Sequence, residues 1–396
     1  MNTNSSSKRN VWVDYLRSAI TVLVVAHHSS LAYTTFAVFD KKAYIRSTNP
    51  IVDTNRWIGM DIFENFNDIF FMFLMFFIGG LFIAKSIEKK GTFSFIKDRV
   101  YRLFFPFLFG GTLLMLLAYF PSYYVAHHDL SIINYVKDFF TTEHWPVGPP
   151  WFIWVLFLFN LLVALLFPFV KNLLETFSEK ISNLQSKPFL FFLYFYVVTW
   201  VLYVPIAYRV GANTWTGIGP FDFQLSRVLA YFGYFILGII IGISDFNNQL
   251  FIQTSLVIRK WRFWIILSIL LYFIITINGL YHVLENLVKK NNITRSTAWM
   301  IYYSIYVACC TTSCIAFISF FRSRIKKANS LWNSLSENAY LIYLVHYVFI
   351  VWTQYALLRL NIPVFIKFLI VFFITIILSW TSSIWLRKIN IVKKHL

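Results

Sequence analysis

The chain has 396 residues, 58% of them hydrophobic and 13% charged, with a mean hydropathy of +0.64. Soluble domains are about 45–50% apolar, and a water-soluble fold has no interior large enough to hide this excess, so the sequence reads as an integral membrane protein. The formal net charge of +18 is what a many-span chain collects in its cytoplasmic loops; no basic-aromatic loop long enough to fold points to nucleic acid.

A membrane-crossing helix needs roughly 20 mostly apolar residues. Ten segments qualify in chain order: 12–34, 62–85, 101–124, 151–170, 188–208, 228–245, 263–282, 298–321, 339–358 and 363–386. This predicts an all-α integral membrane fold of about ten transmembrane helices. One bundle domain covers 12–388, between cytoplasmic tails at 1–11 and 389–396. Lys and Arg concentrate around Lys8 and Arg9 and in the loops 85–102, 259–262 and 322–327. The positive-inside rule therefore places both termini in the cytoplasm, with Lys367 at the outer end of the last span. The larger outer segments are 37–60 and 121–150. The first apolar run is too long and too charged for a cleavable signal peptide.

That first span, DYLRSAITVLVVAHHS (14–29), carries groups that hydrocarbon penalises: Asp14, Arg17, His27 and His28. Arg17 and His28 are eleven positions apart, which brings the helix to within ~20° of three full turns, so they share a face; His27 points ~100° away. His28 lies ~16 Å beyond Arg17 along the axis. Ionisable groups inside a membrane face a bundle interior or a water-filled cavity. A neutral imidazole there takes and returns a proton near neutral pH. Asp14 and Arg17 also fit a purely structural cluster tying helices together, and His27 reads as structural or interfacial.

Four further features follow along the chain. Asp61, Glu64 and Asp68 form an acidic stripe at the outer end of the second span, suited to orienting His28 or a polar acceptor, and equally to a solvated helix end. Arg99 and Arg102 stand three apart at the cytoplasmic mouth of the third span, with Pro106 one turn on. Their guanidinium forks match phosphate oxygens, although positive-inside flanking explains the pair as well. Trp151, in GPPWFIW, opens the fourth span from outside, where aromatic-belt residues collect. SLSENAYLIYLVH (334–346) opens the ninth span, with Ser336 or Asn338 as its expected N-cap and His346 as a second intramembrane histidine. His127 and His128 lack a third ligand at sensible spacing, so no metal is expected. Cys309, Cys310 and Cys314 form no CxxC pair and read as small packing residues.

Taken together, the sequence resembles the acyltransferase family 3 membrane proteins, O-acyltransferases that decorate cell-envelope glycans. The motifs are Asp14-x-x-Arg17 followed by ten residues and His28, Arg99-x-x-Arg102 entering the third span, and the late Ser336…Tyr343-Leu344-x-His346. Within the family, FFMFLMFFIGGLF and PPWFIWVLF look most like the glucan-modifying branch, glucan biosynthesis protein C. Gly79-Gly80 stands where the family usually has Ser-Gly, and Pro149 where a histidine often precedes the tryptophan. The resemblance implies a multi-pass protein of a bacterial cell membrane. It would move an acetyl or succinyl group from cytoplasmic acyl-CoA to a hydroxyl of a glycan or glycolipid. His28 would be catalytic together with Asp14 and Arg17, Arg99 and Arg102 would serve the donor, and Glu64, Asp68, Trp151 and His346 would lie on the acceptor side. A separate protein outside the membrane would be a natural partner. The competing reading is a polytopic transporter that uses the same polar cluster as a proton relay.

Overall fold

The computed structural model describes residues 10–276 and 279–395. Of the N-terminal tail expected over 1–11, only Asn10 and Val11 fall among them, and they open the first helix; Lys8 and Arg9 lie outside the described residues. The helices are α1 (Val11–Ser30), α2 (Ile58–Gly80), α3 (Ile83–Lys90), α4 (Thr92–Arg99), α5 (Phe105–Phe109), α6 (Met115–His127), α7 (Ile132–Thr141), α8 (Trp151–Ser182) and α9 (Pro188–Val210). After a two-residue antiparallel strand pair, β1 (Trp215–Thr216) with β2 (Phe223–Gln224), come α10 (Val228–Ile243), α11 (Leu256–Arg259), α12 (Trp261–Thr276), α13 (Leu280–Lys289), α14 (Arg295–Arg324), α15 (Ser330–Leu357), α16 (Val364–Leu386) and α17 (Asn390–His395).

Each of the ten predicted segments is helical, although 263–282 runs across residues 277 and 278, which lie outside the described residues. Among the described residues, seven helices are long and apolar enough to cross a membrane, and an eighth if the bent pair α12 and α13 is counted as one span. The expected ten is therefore not reached on length and composition. Two predicted segments fall short for different reasons. The α10 helix has 16 residues, about 24 Å at 1.5 Å per residue, against a hydrocarbon core of about 30 Å. The α1 helix is long enough, but Asp14, Arg17, His27 and His28 make it too polar. Both are buried in the protein, where neither needs to satisfy lipid.

α2 lies directly against α10. A Cβ on Gly80 would sit 2.1 Å from the Phe235 carbonyl oxygen, and one on Gly238 2.1 Å from that of Phe77. Only glycine allows this approach, the small-xxx-small packing that brings membrane helices together without a hydrophobic driving force.

The third predicted span is not one regular helix. It begins at Thr92 and is interrupted by π turns at Val100–Phe104 and Gly110–Leu114. Prolines explain its coupling to α15. Pro106 and Pro121 have no N–H to offer the carbonyls four residues back, those of Arg102 and Leu117. The Tyr340 hydroxyl donates to the Arg102 oxygen at 2.9 Å, and the Trp352 indole to the Leu117 oxygen at 2.8 Å. Both donors belong to α15.

That helix starts earlier than its sequence signals indicate. Asn329, not Ser336 or Asn338, is the cap: its side chain accepts from the Leu331 and Trp332 N–H groups. His346 consequently lies ~24 Å from the helix start instead of about half that.

The two outer segments are tied to each other. Glu143 accepts from the backbone N–H groups of Tyr44 and Ile45 at 3.0 and 2.8 Å. Burial pushes its carboxyl above the usual carboxylate range, against the pull of those two donors. Lys367, assigned by sequence to the outer end of the last span, is buried there and bonds Asp53 at 2.6 Å.

Candidate functional site

Two cavities, one from each side of the bundle, meet at a single side chain. The first, about 310 Å³, is lined by Asp14, Arg17, Arg99 and Arg102 among other residues. The second, about 340 Å³, is lined by His27, His28, Glu64, Asp68 and Trp151 among others. Tyr343 lines both. Its hydroxyl donates to the Pro149 carbonyl oxygen, tying α15 to the turn that opens α8 at the boundary between the two spaces.

The arginine cavity is built by α1, α2, α4 with its π turn, α8 and α15. Arg17 approaches Asp14 at 3.5 Å and both are partly exposed. Arg102 pairs with Asp98 at 3.0 Å, and Asp98 also accepts from Lys90 at 3.0 Å. Arg99 lies over the Phe95 ring, 4.6 Å from its centroid, and its Nε is buried without a hydrogen-bond partner. A guanidinium held by an aromatic face keeps its donors free for a ligand. The helix twist at 100–104 is a π turn, an irregularity often found at functional sites. It changes the relative direction of Arg99 and Arg102, which regular i,i+3 spacing places on one face.

In the second cavity the last two turns of α1 present the histidines. The His28 ring stands 5.5 Å from that of His346 and 5.3 Å from that of Tyr347, centroid to centroid. His346 Nδ1 lies 2.6 Å from the Tyr343 carbonyl oxygen; a carbonyl only accepts, so Nδ1 carries the proton and Nε2 keeps a lone pair. Gln354 supports this end of α1 by donating to the carbonyl oxygens of His28 and Ser29 at 3.2 and 3.4 Å. The Nδ1 atoms of His27 and His28 and the Nε2 of His346 are buried without partners. His27 and His28 line the cavity and His346 packs behind His28; imidazoles with unspent nitrogens in such a place are suited to moving protons.

The acidic stripe separates into three roles. Asp61 accepts from the backbone N–H of Thr35 at 2.7 Å and from its hydroxyl, fixing the chain that leaves α1. Glu64 faces His27, Oε1 to Nε2 at 3.8 Å. Asp68 takes a two-pronged contact from Arg227, at 2.9 and 2.6 Å. His27 is thus the histidine with a carboxylate beside it, whereas His28 is the one beside His346. Trp151 stacks near Tyr231 and edge-on to Trp215, with centroids at 5.9 and 5.3 Å.

The structure brings together Asp14, Arg17, Arg99 and Arg102 on one side, and His28, His346, Glu64, Asp68 and Trp151 on the other. Arg17 and His28 share a helix face as the spacing predicts, yet each opens into a different cavity. Sequence reasoning missed Arg227 and Gln354. Arg227 reads as one more loop charge before an apolar helix, and only its 2% exposure gives it away. Among the described residues no group of three or more His, Cys, Asp and Glu side chains is gathered closely enough to hold a metal ion.

A family model described as an acyltransferase domain, Acyl_transf_3, matches residues 10–384, nearly the whole chain. No curated protein and no solved structure matches.

Proposed function

We propose the following reaction for the chain, which belongs to the acyltransferase family 3 and is a multi-pass membrane acyltransferase: an acetyl or succinyl group passes from acyl-CoA, bound in the arginine cavity, to a hydroxyl of a cell-envelope glycan or glycolipid in the histidine cavity. Arg99 and Arg102, with Arg17 beside them, meet the phosphates of the donor. Asp14 holds Arg17 in place. The thioester reaches past Tyr343. His28 removes the proton from the acceptor hydroxyl as its oxygen attacks the thioester carbonyl. The carbon–sulfur bond breaks, and the thiolate leaves with the proton that the imidazolium returns. His346 packs against His28 and holds its ring. Trp151, Glu64 and Asp68 line the acceptor side, and a separate outer protein receives or presents the glycan. In the orientation set by the basic loops, the arginine cavity faces the cytoplasm of a bacterial cell.

The observation that supports this reading is the shared wall: one tyrosine stands between a cationic cavity and a histidine cavity, so a long, flexible, phosphate-bearing donor needs only that side chain to turn aside for its thioester to reach His28. Replacing Arg99 tests it. A hydrogen bond to a charged group contributes about 1.5–3 kcal/mol, so Arg99→Ala is expected to raise the KM for acyl-CoA roughly 10–100-fold with kcat much less affected. Steady-state kinetics over a range of donor concentrations would read this. Unchanged donor affinity would remove Arg99 from the donor site.

A further inference from the structure

A third cavity, about 350 Å³, adjoins the histidine cavity and shares Asp68 and Asn213 with it. It lies between α2, α9, α12 and α14, roofed by the loop that carries Asn213. Its volume is within the usual range of ligand pockets, about 300–1,000 Å³. Five tyrosines line it: Tyr203, Tyr272, Tyr302, Tyr303 and Tyr306. The Tyr303 ring is the hub, 5.1 Å from Tyr302, 5.8 Å from Tyr306 and 5.9 Å from Tyr203.

The polar atoms here are not all satisfied. Arg227 donates to Asp68, to Asn213 at 3.3 Å and to Tyr306 at 3.0 Å, and its guanidinium lies near the Tyr203 ring, 6.0 Å from the centroid, but its Nε is buried without a partner. Buried polar groups are nearly always paired, so each exception needs an explanation. A ligand that brings its own hydroxyls supplies one. Charge narrows the class. The lining holds two carboxylates, Asp61 and Asp68, and one guanidinium, Arg227, a balance that disfavours an anion. Tyrosine faces, electron-rich at their centres, attract the C–H edges of a sugar ring.

We propose that this tyrosine cavity binds a neutral sugar unit of the acceptor, the unit next to the one that is acylated, so that the Asp68–Arg227 pair lies between two adjoining sugar subsites. This rests on the reading of the histidine cavity as the acceptor side. The sugar chemistry is the same whether it arrives on a free oligosaccharide or on a lipid anchor.

The test uses the full chain in nanodiscs and two probes: soluble neutral oligomers of glucose, mannose and N-acetylglucosamine, and the same headgroups carried on a lipid. Binding is measured for wild type, Tyr303→Leu and Tyr203→Phe, with thermal midpoints and acyl-CoA binding and hydrolysis recorded alongside. The proposal predicts that at least one neutral saccharide binds, and that Tyr303→Leu weakens it about tenfold, 1.4 kcal/mol. Tyr203→Phe, which removes only a hydroxyl, weakens it less and keeps the wild-type midpoint, and acyl-CoA binding at the separate arginine cavity, retained in both variants, shows that both are folded. Whichever probe binds identifies the source. No binding of any neutral saccharide in either form, or binding indifferent to Tyr303, would overturn it. Hydrolysis that does not depend on His28 would defeat the catalytic reading separately, because saccharide binding here does not involve that imidazole.

Discussion

His28→Ala is expected to give a folded protein that still binds acyl-CoA and transfers the acyl group about 10²–10⁴-fold more slowly, the usual contribution of a positioned general base. The separation of cavities makes the donor half of that statement specific. His28 lines the histidine cavity and not the arginine cavity, so removing its ring leaves Arg17, Arg99 and Arg102 where they are. The loss should therefore appear in kcat and not in the donor KM. His27→Ala is the control. His27 faces Glu64 at 3.8 Å and packs on Phe71, with centroids 5.0 Å apart, and its removal should act mainly through acceptor binding or stability. Equal loss in both variants would show that the pair acts as one unit.

The second large effect falls on stability. The side chains of Lys367 and Asp53 are 1% and 2% exposed, and their charges meet at 2.6 Å. Breaking a buried ion pair by removing one partner costs about 3–5 kcal/mol, because the other charge is left in a low-dielectric interior. Asp53→Ala is expected to lower the unfolding midpoint of the purified protein by a corresponding amount. Replacing both residues by apolar ones of similar size should recover most of it, since such exchanges are often neutral. The loss should also reach the site. Asp53 anchors the outer segment that contributes Phe36 and Thr48 to the wall of the histidine cavity, so its loosening is expected to weaken the acceptor side more than the donor side. A double replacement no more stable than Asp53→Ala would show that the ion pair itself, and not the burial of a lone charge, holds the segment.

The sequence made the helices legible because its apolar runs are well separated, and it put His28 on the helix face of Arg17 because an eleven-residue spacing closes three α-helical turns. What it could not reach depends on contacts between helices. The acidic stripe looked uniform, but its three carboxylates meet Thr35, His27 and Arg227, which come from three other places in the chain. Arg227 carries no local signal. The start of α15 was read too late because Ser336 and Asn338 are good caps in isolation, whereas Asn329 does the capping in the fold. The π turn at Val100–Phe104 holds Arg102, whose carbonyl oxygen Pro106 leaves unpaired and the Tyr340 hydroxyl, from a helix more than two hundred positions away, bonds instead. The boundary between cavities rests on Tyr343, whose role appears only when α15 and the α8 turn are brought together.

The claim on which the account depends is that donor and acceptor enter from opposite faces and meet at His28. It is tested most directly in sealed liposomes of known protein orientation, with radiolabelled acetyl-CoA or succinyl-CoA supplied to one face at a time and thioester consumption followed for wild type and His28→Ala. The account predicts turnover only when the donor is on the face bearing Arg99 and Arg102, and loss of that turnover in His28→Ala with donor binding retained. Equal turnover from both faces, or undiminished turnover without the His28 imidazole, would contradict it.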